Sequence, residues 1–326
     1  MKEKLSSFAR QNVFIDPPSI GSKDLSFDEA GDRTRQIIEK VVDETELGVI
    51  LGEAEVFGHR QGATRIVIRA FVNSDLAKIK NIGTFRKEAE ILLWDGSKKH
   101  FFVYYGYNNP ERCSLSGILD EETKIMQNIL NRRPKNQSSI FEQAKGFSLE
   151  RLQGELSPFD HERLKKMYNL SFTDYPFNIG ESIKYMVKSE DYAVYAARSK
   201  ADGLLYAVCA TEEMVLNIEG LGRFVMREMG DSAKMPQVNG LNAPLKLMLV
   251  KGAFEDGVDL VFCESRAALP AVNAVNRDIG MDYCGFLMQH TRIGGEGVDE
   301  KSPYGNMNVW ALNKDAIQGI GQKVNY

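Results

Sequence analysis

The chain of 326 residues is short of cysteine, tryptophan and histidine, with four, two and four of each. Cys113, Cys209, Cys263 and Cys284 show no paired metal-ligand spacing, and the last three sit inside apolar runs. That argues against a cysteine-built metal site and a disulfide framework; the thiols read as buried groups in a reducing compartment, and no metal is expected. No stretch approaches the roughly 20 apolar residues that a helix needs to span a bilayer. The first residues also lack the apolar core of a secretory signal, so a cytoplasmic location and no membrane partner are expected. A basic excess is missing too. Lys and Arg number 41 against 45 Asp and Glu, a net charge of -4, and the short run Arg132, Arg133, Pro134, Lys135 is no phosphate-binding stripe. A nucleic-acid partner is not expected.

What is present is ordinary globular material, 43% hydrophobic and 26% charged, in a chain longer than the usual single domain. Its punctuation predicts an irregular arm over 1–31, a smaller α/β domain over 32–130, a polar linker over 131–146 and a main domain over 147–326. In the first part, Ile37, Ile38, Val41 and Val42 recur at helical spacing and predict a helix over 32–46. A strand follows over 64–71. A short helix capped by Ser74 and closing at Gly83 comes next. A hairpin then joins 88–93 to 100–105 around Asp95 and Gly96. In the second part the pattern reads helix 157–172, helix 181–187, strands 192–198, 204–211 and 223–229, helix 241–254, strand 258–263, helix 267–276, and strands 283–291 and 307–312. Three strands in succession imply an antiparallel portion, and the later alternation implies a parallel crossover. The predicted fold class is therefore α/β, or α+β: a mixed sheet flanked by helices, preceded by a smaller partial α/β domain.

The most informative short segment is Gln237-Val238-Asn239-Gly240-Leu241-Asn242-Ala243, between the strand ending near Met229 and the helix beginning near Leu241. Backbone N–H groups at a helix start lack partners and carry the positive end of the dipole, so a phosphate can settle there if small residues admit it. Gly240 would allow that approach. It would equally relieve an ordinary helix-entry turn. This segment and the order of elements around it resemble the GNAT acyltransferases, which carry Arg or Gln, two residues, Gly, one residue, then Gly or Ala at this junction. Gln237 and Gly240 match, and Asn242 stands where Gly or Ala is expected, with Ala243 one place later.

Farther on, Arg266-Ala267, Asn273, Gly280, Gly285, Leu287, Thr291, Ile293, Gly295 and Met307-Asn308-Val309-Trp310 resemble the C-terminal half of the β-lysine N-acetyltransferase family. Tyr175-Pro176-Phe177, Glu228, Asp231 and the hairpin with Phe85, Glu88, Ala89 and Trp94-Asp95-Gly96 resemble its earlier parts. The sequence departs from that family at Asn242, at His290 in place of Asn, at Gly305 preceded by Tyr304 in place of an acidic residue, and in an insertion over 296–303.

The resemblance implies an N-acetyltransferase that moves the acetyl group of acetyl-CoA, as cosubstrate, to the amine of a small molecule, a diamino acid such as β-lysine included. An ammonium near pKa 10.4 must first lose a proton, so a base is needed. Glu228 is the first choice for it and Asp231 the second. Three residues apart on a strand they face opposite ways unless a bulge intervenes. A backbone N–H near Ser232 or Ala233 is implied as the oxyanion donor. Tyr283 or Tyr304 is implied as the proton donor to the departing thiolate. Gln237, Asn239, Gly240, Asn242 and Ala243 are implied for the pyrophosphate and Asn273 for the pantetheine arm. Tyr175, Phe177, Arg266, His290 and Trp310 are candidates for the acceptor pocket. Two alternatives stay open: a degenerate module that binds acyl-CoA or a protein without turnover, and an enzyme using a longer acyl group. The oligomeric state is not legible.

Overall fold

The computed structural model describes residues 24–29, 31–94, 99–110, 112, 116–171, 179–292 and 304–314. The first half begins with strands β1 (Ser26–Asp28) and β2 (Arg33–Val42), helix α1 (Glu44–Gln61) and β3 (Arg65–Asn73). The helix predicted over 32–46 is thus a strand, and the helix starts only at its end. The pairs Ile37/Ile38 and Val41/Val42 fit a helical stripe, but they equally fit a strand covered on both faces, and their β-branched side chains favour the latter. Asp43 ends the ambiguity, because its carboxylate accepts from the Glu46 amide at 2.9 Å and so caps α1. α1 is the crossover that sets β3 parallel to β2, Arg33 beside Arg65.

Next come a single 3-10 turn at Leu76–Lys78, in place of the helix expected over 74–83, then β4 (Asn81–Ile82), β5 (Phe85–Trp94) and β6 (Lys99–Asn108). The turn is capped by Asn73, whose side chain accepts from Leu76 N at 2.9 Å, and not by Ser74. β5 and β6 pair antiparallel, the hairpin expected from the sequence; its tip lies outside the described residues.

The segment read as an unburied linker is tied down. Helices α2 (Ser116–Leu130) and α3 (Gln137–Glu142) lead to strand β7 (Phe147–Leu152), and Ile140 of α3 is fully buried. Polar composition concealed one short helix, capped by Asn136 through Ser138 N at 2.8 Å. From there the elements fall close to the expected places: α4 (Pro158–Ser171), α5 (Ile179–Lys188), β8 (Tyr192–Ser199), β9 (Leu205–Ile218), β10 (Gly222–Lys234), α6 (Asn242–Glu255), β11 (Leu260–Arg266), α7 (Pro270–Asp278), β12 (Asp282–Arg292) and β13 (Tyr304–Asn313).

All strands join one mixed sheet in the order β1-β2-β3-β6-β5-β12-β13-β11-β10-β9-β8-β7, with β4 on β5. Helices flank it, as the sequence predicts. The seam between the halves is one pair, Gly285 of β12 against Ala89 of β5. On the other side the sheet bends back on itself. β2 reaches the end of β9, with Val41 N to Glu219 O at 3.2 Å and Glu219 N to Glu39 O at 3.0 Å.

One hydrophobic cluster therefore draws on both halves, Ile37, Phe71, Ile91 and Phe102 packing with Leu216, Met226, Phe262 and Val309. Arg35, Arg69, Tyr104, Glu228 and Glu264 each lie two positions from a member of that cluster on their own strands, hence on the same face. The enclosed face is apolar at one end and charged at the other.

Gly285 adopts φ +147°, and a Cβ there would lie 2.3 Å from Glu88 O and 2.5 Å from the Ala89 Cα. Gly285→Ala should destabilise the whole chain by about 1–3 kcal/mol, the usual cost of overpacking. Denaturant unfolding followed by tryptophan fluorescence and by circular dichroism checks this; an unchanged midpoint would show that the seam is slack.

Candidate active site

Strands β10 and β11 run parallel, but their pairing ends at Glu228 opposite Phe262. β10 continues for residues 229–234 and β11 continues to Arg266 along β13, with no ladder recorded between β10 and β11 beyond that point. Against β9, β10 slips register between Met229 and Ser232, so strict alternation of faces stops there. Asp231 lies inside this irregularity. Ser232 stands opposite Cys209, to whose sulfur its hydroxyl donates at 3.2 Å, and Ala233 is buried opposite Val208.

The chain then turns into α6. Lys234 Nζ donates to Val238 O at 2.7 Å and to Asn239 Oδ1 at 2.8 Å, holding the turn together. Gln237, Asn239 and Gly240 are exposed, Gly240 has φ +80°, and Leu241 caps α6 without any side-chain bond to its first amides. The Asn242 Oδ1 has no partner, and Ala243 is buried. Pro244, at the third helical position, has no N–H to offer. The helix start thus has no side-chain cap on its first amides and one donor fewer than usual.

Glu228, the last paired residue, is partly open to solvent but ringed by protein. Burial, and next the carboxylate of Glu264, raise its pKa to about 8, against the pull of Arg69 and Arg35. Among the described residues no cation lies within ion-pair distance of it; Arg69 is committed to Glu264 at 2.9 Å. A carboxyl group poised near neutrality at the point where two strands part is equipped to take up and release a proton.

The other predicted residues are placed differently. Asn273 is fully buried, donating to Arg266 O and Leu269 O at 2.8 Å each and accepting from Asn308 Nδ2 at 3.0 Å and Trp310 Nε1 at 2.9 Å. Its amide is occupied by the fold, which corrects the expectation of a bond to a pantetheine arm. Trp310 is fully buried behind it with the Tyr283 ring 5.5 Å away, so it is core and not pocket wall. Burial pushes Tyr283 up to about 12, keeping its hydroxyl protonated. Tyr304 donates to Asp32, under an Arg112 guanidinium 3.6 Å from its ring centre, on the side of the first half.

His290 is buried between Arg65 (3.2 Å to Nδ1) and Glu264 (2.9 Å to Nε2). Since a guanidinium only donates, Nδ1 accepts and the proton sits on Nε2. Burial holds its pKa well below the usual value, so it is neutral beside Glu264. Half-buried Arg266 ends β11. Tyr175 and Phe177 lie outside the described residues.

No family model and no curated protein matches the chain. Solved structures do. An N-acetyltransferase from Staphylococcus aureus Mu50 is 13% identical with a TM-score of 0.40 over 51% of this chain and 97% of its own. NAA60 of Arabidopsis thaliana, solved with acetyl-CoA, is 14% identical with a TM-score of 0.41 over 52% and 99%. A spermidine N-acetyltransferase from Vibrio cholerae is 12% identical with a TM-score of 0.40 over 53% and 97%. The likeness is to N-acetyltransferases. At such identity and TM-score it leaves the reaction to be argued from the geometry of the site.

Arg35, Arg69, Tyr104 and Glu264 were not singled out by sequence reasoning. A signal exists for the arginines: Arg33 and Arg35, then Arg65 and Arg69, sit at strand spacing beside apolar residues of the same face. Reading 32–46 as a helix hid the first pair.

A raised carboxyl pKa makes the ionised form costly to the fold. The unfolded group ionises near 4.5 and the folded one near 8, so stability falls as pH rises between those values. Glu228→Gln should therefore be no less stable than the parent at pH 5 and increasingly more stable toward pH 8, as thermal melts across that range will show. A constant difference would mean that Glu228 ionises normally.

Proposed function

We propose that this chain is an N-acyltransferase that takes acetyl-CoA as cosubstrate and acetylates the amine of a small molecule. The observation that carries the reading is Glu228, with its raised pKa, at the end of the β10–β11 pairing, on the strand that leads into a helix start without a side-chain cap. The residues fit the cosubstrate: Gly240 and the first amides of α6 would take the pyrophosphate, beside Asn239, Asn242 and exposed Gln237. Residues 229–234 offer an unladdered edge along which an amide-bearing arm can lie.

Glu228 accepts a proton from the acceptor ammonium, directly or through water. The neutral nitrogen bonds to the thioester carbonyl carbon and the C–S bond breaks; the second proton that the nitrogen gives up passes to the departing thiolate, through water or through a tyrosine such as Tyr283, which takes one proton as it donates another. A backbone N–H near Ser232 or Ala233 is the donor that the sequence resemblance favours for the negative oxygen. Asp231 remains the second candidate base. A diamino acid such as β-lysine is the acceptor that the sequence resemblance favours. The domain reading goes with this: the cosubstrate site belongs to 147–326, and 32–130 carries none of its own.

The second reading, a module that binds acyl-CoA without turnover, is favoured by Pro244 and Asn242 at the phosphate turn. Calorimetric titration with acetyl-CoA, with thiol release measured on a panel of amines, separates the two. Parent protein should bind, and Gly240→Val should bind about tenfold or more weakly, since a branched side chain at positive φ spoils the turn and the approach. Glu228→Gln should keep binding and lose about a hundredfold or more in turnover. Binding without thiol release for any amine would favour the non-catalytic module.

A further inference from the structure

The charged end of the enclosed sheet is nearly, but not wholly, self-neutralising. Arg33 pairs with Asp28 at 2.9 Å, Arg69 pairs with Glu264 at 2.9 Å, and Arg65 chelates Glu88. Two groups are left over. Arg35 reaches only the already engaged Asp28, at 3.7 Å, although just 11% of its side chain is exposed. Glu228 has no cation within ion-pair distance among the described residues. Both stand on the enclosed face, Arg35 two residues before Ile37 and Glu228 two after Met226, which pack in one cluster.

A third loose end faces them. The Tyr104 hydroxyl is fully buried and has no hydrogen-bond partner. It sits on the face shared with Arg69, whose guanidinium lies 5.0 Å from its ring centre, and within the field of Glu228 and Glu264. A buried hydroxyl without a partner is costly to the fold, and an under-paired guanidinium more so. Such a cost persists where a ligand supplies the missing partner.

We propose that the first half supplies the acceptor-recognition groups: Arg35 and Tyr104 bind an acidic group, a carboxylate, on the acceptor, and so place its amine against Glu228. The spare cation and spare acid match a molecule that bears both an anion and an amine. Strands β2 and β6 thus become specificity elements for chemistry seated on β10. This rests on the acyltransferase reading above.

The test compares steady-state rates with acetyl-CoA for lysine and β-lysine against cadaverine, the diamine that lacks the carboxylate, in parent, Arg35→Gln and Tyr104→Phe. The parent should prefer the diamino acids. Arg35→Gln should raise KM for them at least tenfold with KM for acetyl-CoA unchanged, and erase the preference over cadaverine. Tyr104→Phe should weaken diamino-acid binding severalfold without lowering the melting temperature, because it deletes a hydroxyl that has no partner; a packing role alone would not move KM. Should Arg35→Gln fail to fold, Tyr104→Phe decides. Equal use of cadaverine by the parent, or unchanged diamino-acid KM in the folded variants, overturns the inference while the acyltransferase stands. No transfer to any amine, despite acetyl-CoA binding, overturns both.

Discussion

The arrangement depends on closure of the sheet around a shared face. Gly285 lets β12 lie against Ala89 so closely that even a Cβ would collide with the backbone, and the β2–Glu219 bonds join the far side. Without these two contacts Ile37, Phe71 and Phe102 would have no partners in the second half, and the charges two residues along each strand would lie in water. With them, desolvation raises the pKa of Glu228 and lowers that of Arg35 to about 10, burial being the first cause of both.

The charged end is stable only because its members are shared out. Arg65, His290 and Glu264 lie in a row, a neutral imidazole accepting from Arg65 on one side with its other nitrogen 2.9 Å from Glu264, which pairs with Arg69. That leaves Glu228 unneutralised. Its raised pKa is thus set in part by what its neighbours are already doing, as in other sites where adjacent carboxyl groups are pushed apart in pKa.

The secondary structure of 147–314 was largely legible because its signals agree: caps, strand runs and helix stops coincide. The first half was less so. An apolar stripe with both periods made β2 look helical, and a polar stretch concealed α3, where only Ile140 reaches the core. Glu228 falls on the strand before the turn and Gly240 at the helix entry, where the sequence reading put them. Asn273 and His290 were assigned to ligands although the fold uses them, since a buried polar side chain and a ligand-facing one look alike until their partners are known.

The sequence by itself determined the order of elements from α4 onward, the parallel crossover through α6, the glycine at the helix entry and the carboxylate on the strand before it, because these rest on local periodicity and backbone freedom. Tertiary structure decided that β10 and β11 part after Glu228, that Asn273 and Trp310 hold each other, and that Arg35, Arg69 and Tyr104, more than a hundred residues away in the chain, share a face with Glu228. Those are long-range pairings, set by sheet register and closure, and no window of the sequence contains both partners.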